Sequence, residues 1–181
     1  YGVPVIVTRG SNTYGPYQQP EKLVPLFVSN AIDDKPLPVY GDGKQVRDWL
    51  HVIDHCTGIL TALEKGKPGE AYNVGGDNQP ANLTIVQTIC DMLDELRPAS
   101  SSHSQLIQYV ADRPGHDRRY AMDTTRIRSE LGWQPRHSLS EGLQATITWY
   151  LVHADWIQAI QKQVGFQSWV SSNYDKREKT A

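Results

Sequence analysis

Short apolar runs alternate with helical patterns through the first half of the chain, and this alternation constrains the fold more than any other feature. Residues 3–8 form a β-branched apolar run without polar alternation, which predicts a strand buried on both faces. Residues 21–33 and 54–65 have the apolar spacing of helices, and residues 70–74 resemble a second buried strand. This order of elements predicts an α/β fold built on a parallel sheet.

Local signals place the remaining elements. Residues 9–20 have the glycine, asparagine and proline content of a loop. Residues 37–40 and 45–52 read as strands around Gly41-Asp42-Gly43, which predicts a β-hairpin. The other predicted elements are a helix over 83–96, a strand over 106–110, a helix over 124–131 ended by Gly132, and a last helix opened by a capping box at Ser138 and Glu141.

Composition excludes several classes of partner. The chain has 181 residues, and its formal net charge of −2 provides no basic field for nucleic acid. No apolar run reaches the roughly 20 residues of a membrane-spanning helix, and no signal-peptide pattern opens the chain. Cys56 and Cys90 lie far apart in apolar segments, which predicts buried thiols in a reducing, cytoplasmic setting. The start at Tyr1, without Met, predicts that an upstream part is missing.

Several chemistries lack their sequence signals. His51 and His55 are four residues apart but have no third ligand, so we expect no metal site. The chain has no G-x-S-x-G nucleophile elbow and no Walker loop. Gly41 and Gly43 lack the third glycine and the following helix of a dinucleotide-binding turn. Any cofactor phosphate turn must therefore lie outside these residues.

Polar residues follow several predicted strands, where ligands of α/β proteins bind. Asn12, Arg47 and Asn82 occupy such positions, and an arginine-rich segment spans residues 112–119. The planar guanidinium fork suits a diphosphate, although each arginine taken alone is more typical of a surface ion pair with a neighbouring Asp. Tyr40 is either a stacking partner for a nucleobase or a half-buried strand residue. As a set, these residues favour anion binding.

Six motifs occur in a fixed order along the chain: T-R-G-S-N-T-Y-G-P-Y (residues 8–17), P-E-K-L (20–23), P-V-Y-G (38–41), R-D-W (47–49), Y-N-V-G-G (72–76) and D-R-P-G-H-D-R-R-Y (112–120). Together they resemble the carboxyl-terminal half of the dTDP-glucose 4,6-dehydratase family, within the extended short-chain dehydrogenases/reductases. The first and fifth motifs are shared with nucleotide-sugar epimerases and decarboxylases, whereas the last is more specific to the dehydratases. The resemblance covers nearly the whole chain and weakens in the serine-rich loop and the tail.

The resemblance implies an NAD-dependent lyase. The family oxidises C4 of the sugar, eliminates water across C5 and C6, and returns hydride to C6, giving dTDP-4-keto-6-deoxyglucose. Its glycine-rich NAD turn, Tyr-x-x-x-Lys pair and Asp-Glu acid/base pair all precede the point that matches Tyr1, so no catalytic residue is assigned in this chain and we expect the chain alone to be inactive.

The resemblance also implies a set of residues that clamp the substrate nucleotide. Arg47 and Arg113 would neutralise the diphosphate, and Asn12 would contact its sugar-proximal phosphate. Thr13 stands where the family often has Asn beside the nicotinamide of NAD; a backbone contact survives that change. The remaining residues implied in the clamp form two groups. Around the base would lie Lys22, Leu23, Pro38, Val39 and Tyr40, and closing over the diphosphate would be Asn82, Asp112, Pro114, Gly115 and His116.

The resemblance implies two domains. Residues 1–13 and 46–76 would be the last strands and a helix of an NAD-binding Rossmann domain, and residues 14–45 and 77–181 a nucleotide-sugar-binding domain with a polar tail. We expect a cytoplasmic homodimer that binds a dTDP-sugar but neither nucleic acid nor membrane. The alternatives are a UDP-sugar epimerase or UDP-glucuronate decarboxylase of the same superfamily, and a non-catalytic nucleotide-sugar-binding module.

Overall fold

A computed structural model describes residues 2–175 of the chain. In chain order the strands are β1 (Val7–Gly10), β2 (Asn12–Tyr14), β3 (Leu37–Tyr40), β4 (Val46–Arg47), β5 (Trp49–His51), β6 (Ala71–Val74), β7 (Ile107–Val110) and β8 (Arg119–Tyr120). The helices are α1 (Leu23–Ile32), α2 (Val52–Lys65), α3 (Asn82–Leu96), α4 (Thr125–Leu131), α5 (Leu139–Val152), α6 (Ala154–Gln161) and α7 (Val164–Val170). Across this part of the chain, no helix is long and apolar enough to cross a membrane.

The chain divides into two compact units. The first comprises Tyr1–Gly15, Val46–Pro80 and Arg119–Gly142. The second comprises Pro16–Gln45, Ala81–Arg118 and Leu143–Ala181. The two units are defined by contacts between residues of the chain. Residues 119–142 belong to the first unit, whereas the division predicted from the sequence places them in the nucleotide-sugar-binding domain.

The first unit contains three parallel strand pairs. β1 pairs with β6, β2 with β5, and β4 with β8. Helices α2 and α4 pack on β6, so that their apolar residues surround the fully buried Tyr72. The buried core of this unit consists of Leu50, Ala62, Tyr72, Val74, Ile127, Leu131 and Trp133.

The second unit is built around the parallel pair of β3 and β7. Helices α1 and α3 pack against each other, and both carry buried aliphatic residues, such as Val24 on α1 and Ile89 on α3. The predicted single stripe of α3 is confirmed, since Ile85, Val86, Ile89, Cys90 and Leu93 are all buried. The α/β class with parallel pairing is therefore confirmed in both units.

The predicted hairpin around residues 41–43 is wrong. β3 pairs with β7, whereas β4 pairs with β8, so the two strands that flank the glycines do not pair with each other. Gly41 and Gly43 both have positive φ angles, 56° and 69°. They redirect the chain after β3 instead of folding it back onto that strand. The predicted strand over 45–52 is also divided in two, between β4 and β5.

The first predicted strand is shifted and more exposed than expected. β1 begins at Val7, and the side chains of Val3, Val5 and Val7 are 69%, 53% and 46% exposed. Within residues 2–175, β6 is the only strand that pairs with β1, so the other edge of β1 takes part in no strand pairing there. The predicted loop over 9–20 contains the end of β1 and all of β2.

The two cysteines differ in their surroundings. Both are free thiols; Cys90 is buried as expected, whereas Cys56 is exposed and the prediction for it is wrong. Cys56 lies on α2, whose buried positions are Asp54, Gly58 and Ala62. The side of α2 that carries Cys56 therefore points away from the core of the first unit.

Candidate functional site

Asp112 is the centre of a hydrogen-bond cluster in the second unit, directly after β7. Its Oδ1 accepts hydrogen bonds from the Arg113 backbone amide at 2.8 Å and from His116 Nδ1 at 2.7 Å. Its Oδ2 accepts a hydrogen bond from Gln45 Nε2 at 2.7 Å. Burial alone would raise the pKa of Asp112, but these hydrogen bonds outweigh it and hold the pKa below its ordinary value. The carboxylate is therefore ionised at neutral pH.

Because a carboxylate only accepts hydrogen bonds, the contact with Asp112 requires a proton on Nδ1 of the His116 ring. A neutral imidazole that donates from Nδ1 has Nε2 as its acceptor. The side chain is only 5% exposed, and its ring lies 6.0 Å from the Tyr40 ring in an edge-to-face arrangement. Tyr40 is half-buried, consistent with both sequence-based interpretations of this residue.

The loop after Asp112 forms a tight turn. The His116 backbone amide donates to the Arg113 carbonyl at 3.3 Å, and Gly115 has a φ of 70°. Pro114 and Gly115 are exposed, as is Arg113. Within residues 2–175 no carboxylate forms an ion pair with Arg113. The turn thus presents the Arg113 guanidinium to solvent.

Arg118, in contrast, forms a surface ion pair with Asp42, which is the other interpretation that the sequence allowed for each arginine. Its Nη1 donates to both carboxylate oxygens of Asp42, at 2.8 and 3.1 Å, and Nη2 donates to Oδ2 at 3.1 Å. The hydrogen bonds from Arg118 lower the pKa of Asp42 to about 2. Both side chains are exposed, so the pair ties two loops together without a large effect on stability.

The Gly41 turn lies against the Asp112 cluster. The Gly41 amide donates to the Val110 carbonyl at 2.9 Å, which joins the carboxyl ends of β3 and β7. A Cβ at Gly41 would lie 3.3 Å from Asp112 Oδ2 in a backbone conformation that disfavours side chains. The glycine therefore lets the chain pass close to the carboxylate.

The residues predicted around the base lie on β3 and at the start of α1. Pro38 and Tyr40 are half-buried on one face of β3, whereas the Val39 side chain is 3% exposed on the opposite face. Val39 is therefore buried as a whole, backbone included, and is not exposed on the face that carries Pro38 and Tyr40. Lys22 precedes α1, is exposed and pairs with Glu21 at 3.7 Å; Leu23 is the first residue of the helix and is half-buried.

Asn82 opens α3 beside the same turn. Its backbone amide donates to the Gln45 carbonyl at 2.9 Å, and the next amide, of Leu83, donates to the Gly43 carbonyl at 2.9 Å. The Asn82 Oδ1 atom is buried, and within residues 2–175 it has no hydrogen-bond partner. The structure thus brings Asn82, the Gly41 turn and the Asp112 cluster together in one unit.

The other predicted residues belong to the first unit. Thr13 Oγ1 lies 2.7 Å from His55 Nδ1 and also donates to the Ser11 carbonyl at 3.3 Å. Arg47 is 8% exposed, with Nη1 donating to the Val46 carbonyl at 2.7 Å. Asn12 is half-buried on β2, next to Thr13.

Sequence reasoning missed Asp48, which joins two of the motifs. Its Oδ1 accepts a hydrogen bond from the Gly76 amide at 2.8 Å. Burial raises the pKa of this carboxyl, which is fully buried. A Cβ at Gly76 would lie 1.8 Å from the Trp49 carbonyl oxygen. The R-D-W and Y-N-V-G-G motifs are therefore one structural unit, and their joint occurrence was the available signal.

Comparisons with known proteins identify the class. The model of the GDP-mannose 4,6 dehydratase family matches residues 1–146, and the chain belongs to this family. It is 50% identical over 178 residues to a dTDP-glucose 4,6-dehydratase of Shigella flexneri, covering 98% of this chain and 49% of the relative. A dTDP-glucose 4,6-dehydratase of Xanthomonas campestris is 52% identical over 162 residues, covering 88% of this chain and 46% of that relative. The chain spans about half the length of the curated relatives it matches.

Solved structures agree with the predicted fold and resemblance. A dTDP-glucose 4,6-dehydratase from Bacillus anthracis in complex with NAD is 48% identical, with a TM-score of 0.79 over 88% of this chain and 49% of that chain. DesIV, a dTDP-glucose 4,6-dehydratase from Streptomyces venezuelae with NAD and TYD bound, is 42% identical, with a TM-score of 0.82 over 88% and 48%. A UDP-glucuronic acid 4-epimerase from Bacillus cereus is 29% identical, with a TM-score of 0.72 over 83% and 46%.

Proposed function

We propose that this chain supplies the substrate-nucleotide clamp of an NAD-dependent dTDP-glucose 4,6-dehydratase. The observation that carries the proposal is the 50% identity to such an enzyme over 98% of the chain. The product would be dTDP-4-keto-6-deoxyglucose, an intermediate of deoxysugar synthesis. When bound, NAD supplies the hydride acceptor and donor of this chemistry.

The second unit provides the surfaces for a nucleotide. The half-buried face of Pro38 and Tyr40, with Lys22 and Leu23, takes the base. The exposed guanidinium of Arg113 neutralises phosphate, and the tight turn that Pro114 and Gly115 form fixes where it stands. Asn82 presents amide groups, and Asp112 holds the ring of His116.

The first unit provides Asn12 and Arg47 for the phosphates and Thr13 for the cofactor. The residues fit NAD only in part: Thr13 offers a hydroxyl held by His55, but no glycine-rich phosphate turn occurs in the sequence. We therefore assign Thr13 alone to NAD and place no proton-transfer step on this chain's residues.

The first unit also supports the proposal that residues 1–13 and 46–76 belong to a larger Rossmann domain. Val3, Val5 and Val7 are exposed, and β1 pairs only with β6 among the described strands. Ile53, Leu60 and Leu63 of α2 are 52%, 53% and 74% exposed, an apolar area that a larger α/β domain would bury. Residues 14–45 and 77–181 would then form the nucleotide-sugar-binding domain. A cytoplasmic homodimer without nucleic-acid or membrane partners completes the proposal.

The test uses the full-length protein with NAD. Incubation with dTDP-glucose should yield the 4-keto-6-deoxy sugar nucleotide, detected by NMR. The isolated 181-residue chain should give no product, because no proton-transfer group is assigned in it. Product formation by that chain alone, or no reaction of the full-length protein with dTDP-glucose, would overturn the assignment.

A UDP-sugar epimerase is the second candidate, favoured by the TM-score of 0.72 to UDP-glucuronic acid 4-epimerase. The same experiment with UDP-glucose and UDP-glucuronic acid distinguishes the two. An epimerase inverts C4 and keeps the C6 oxygen, whereas a dehydratase loses it.

A further inference from the structure

Gln45 joins three segments of the candidate site, although no motif includes it. Its side chain is 3% exposed, and its Nε2 donates to Asp112 Oδ2 at 2.7 Å. Its backbone carbonyl accepts the Asn82 amide at 2.9 Å. Gln45 follows Gly43 by two residues. This one buried residue therefore connects the glycine turn to the start of α3 through its backbone carbonyl, and to the loop after β7 through its side chain.

The orientation of the Gln45 amide is determined by its partner. A carboxylate only accepts hydrogen bonds, so the nitrogen of the amide must face Asp112 and the oxygen must face away. That oxygen, Oε1, is buried without a hydrogen-bond partner among residues 2–175. Burying an unpaired amide oxygen is unfavourable, and an apolar side chain of similar volume would avoid the penalty. Packing alone therefore does not explain glutamine at this position.

The hydrogen bond from Gln45 controls the direction of the Asp112 carboxylate. Oδ1 holds the Arg113 amide and the His116 ring, and Oδ2 is held by Gln45. Without Gln45, the carboxylate would rotate more freely, and the ring and the turn that depend on Oδ1 would lose their fixed positions.

We propose that Gln45 is a positioning residue of the nucleotide site, which acts through Asp112 to hold the His116 ring and the Arg113 turn in their binding arrangement. The identity of the ligand, a nucleoside diphosphate, rests on the proposed function. The hydrogen bonds that Gln45 makes do not depend on it. Gln45 touches no ligand in this scheme.

Two variants separate positioning from packing. Gln45→Met keeps the volume and removes the donor. Gln45→Glu keeps the shape but sets a second carboxylate against Asp112 at neutral pH; once protonated, the new carboxyl can donate to Asp112 as the amide does. Charged groups near the cluster include His116, Arg113 and the Arg118–Asp42 pair. Lys44 and Asp117 adjoin Gln45 and His116 in sequence, and every variant keeps all of these groups. Gln87→Met, at an exposed position on α3, is the matched control.

The first experiment measures dTDP binding to the full-length protein by calorimetry, from about pH 8 to about pH 5. Gln45→Met should weaken binding about tenfold at every pH, as expected for a lost charge-assisted hydrogen bond in the site. Gln45→Glu should bind more weakly still at pH 8, and its ratio to the parent protein should approach one as the pH falls. Binding by Gln45→Met within about twofold of the Gln87→Met control, or a pH-independent ratio for Gln45→Glu, would overturn the inference.

The second experiment needs no ligand. Nitrogen NMR of the His116 ring reports which ring nitrogen carries the proton. In the parent protein Nδ1 should be protonated, and Gln45→Met should shift the proton population toward Nε2 while Gln87→Met should not. If the parent protein does not bind dTDP, the proposed function fails, and this measurement still decides on Gln45. An unchanged His116 ring in a folded Gln45→Met protein would refute positioning.

Discussion

Replacing Gly76 by alanine tests the close approach that joins the R-D-W and Y-N-V-G-G motifs. A Cβ at this position would lie 1.8 Å from the Trp49 carbonyl oxygen and 2.7 Å from the carbonyl carbon. Both atoms belong to the backbone of β5, so no side-chain rotation relieves the contact. The strand must move away by more than about 1 Å to restore an ordinary separation.

The energetic effect follows from what that movement breaks. Trp49 O accepts a hydrogen bond from Asn78 Nδ2 at 2.9 Å, and Trp49 N donates to the Asn78 carbonyl at 3.3 Å. Two hydrogen bonds contribute about 1 kcal/mol each, and overpacking costs about 1–3 kcal/mol. We therefore expect Gly76→Ala to lower the free energy of unfolding by about 3–5 kcal/mol.

Urea denaturation followed by tryptophan fluorescence measures this change. Gly165→Ala is the matched control, because a Cβ at Gly165 in α7 would contact nothing within 4 Å. It should be neutral or stabilising by up to about 1 kcal/mol, the helix preference of alanine over glycine. If Gly76→Ala lost less than about 1 kcal/mol at an unchanged m-value, the loop would be able to yield without disturbing β5, and the account of the two motifs would be wrong.

Three further changes have defined outcomes. Arg113→Ala in the full-length protein should weaken dTDP binding by about 1–3 kcal/mol in calorimetry, because a charge-assisted bond to phosphate is lost; unchanged affinity would remove Arg113 from the clamp. Burial lowers the pKa of His51, helped by the His137 ring 4.3 Å away. The unfolded chain therefore binds the proton more readily, and the free energy of unfolding should fall as the pH drops below about 6.5. Denaturation curves at several pH values should show a smaller fall for His51→Gln. Ser138→Ala should destabilise the protein by about 0.5–2 kcal/mol in urea denaturation, since Ser138 Oγ accepts the Glu141 amide at 3.3 Å and caps α5; no loss would rule out the capping box as a stabilising contact.

Locally encoded features were predictable. The stripe of α3 and the capping box at Ser138 depend on residues within a few positions of each other, so the sequence displays them directly. The same holds for the end of α4 at Gly132, whose φ of 70° suits glycine. The resemblance then identified the family from motif order.

Pairing between distant strands was not predictable from local signals. Two glycines after β3 are as typical of a hairpin as of the sharp turn that the chain makes there, and only the partner strand β7 decides between them. Gln45 and Asp48 also escaped notice, because a polar residue inside a short strand-like run has the same pattern whether it is exposed or buried. Their roles depend on Asp112 and Gly76, which lie far along the sequence.

The parallel pairing of the strands has a consequence for how the protein is made. The paired residues in β1–β6, β3–β7 and β4–β8 are 64, 70 and 73 positions apart in sequence. The entropic cost of closing each long loop must therefore be met before the contacts of the strand pair can stabilise it. On the ribosome, Val7 of β1 and the preceding Val3 and Val5 emerge well before β6 has been synthesised. During that interval β1 lacks its partner β6, and we expect it to be more prone to aggregation than after β6 has been made.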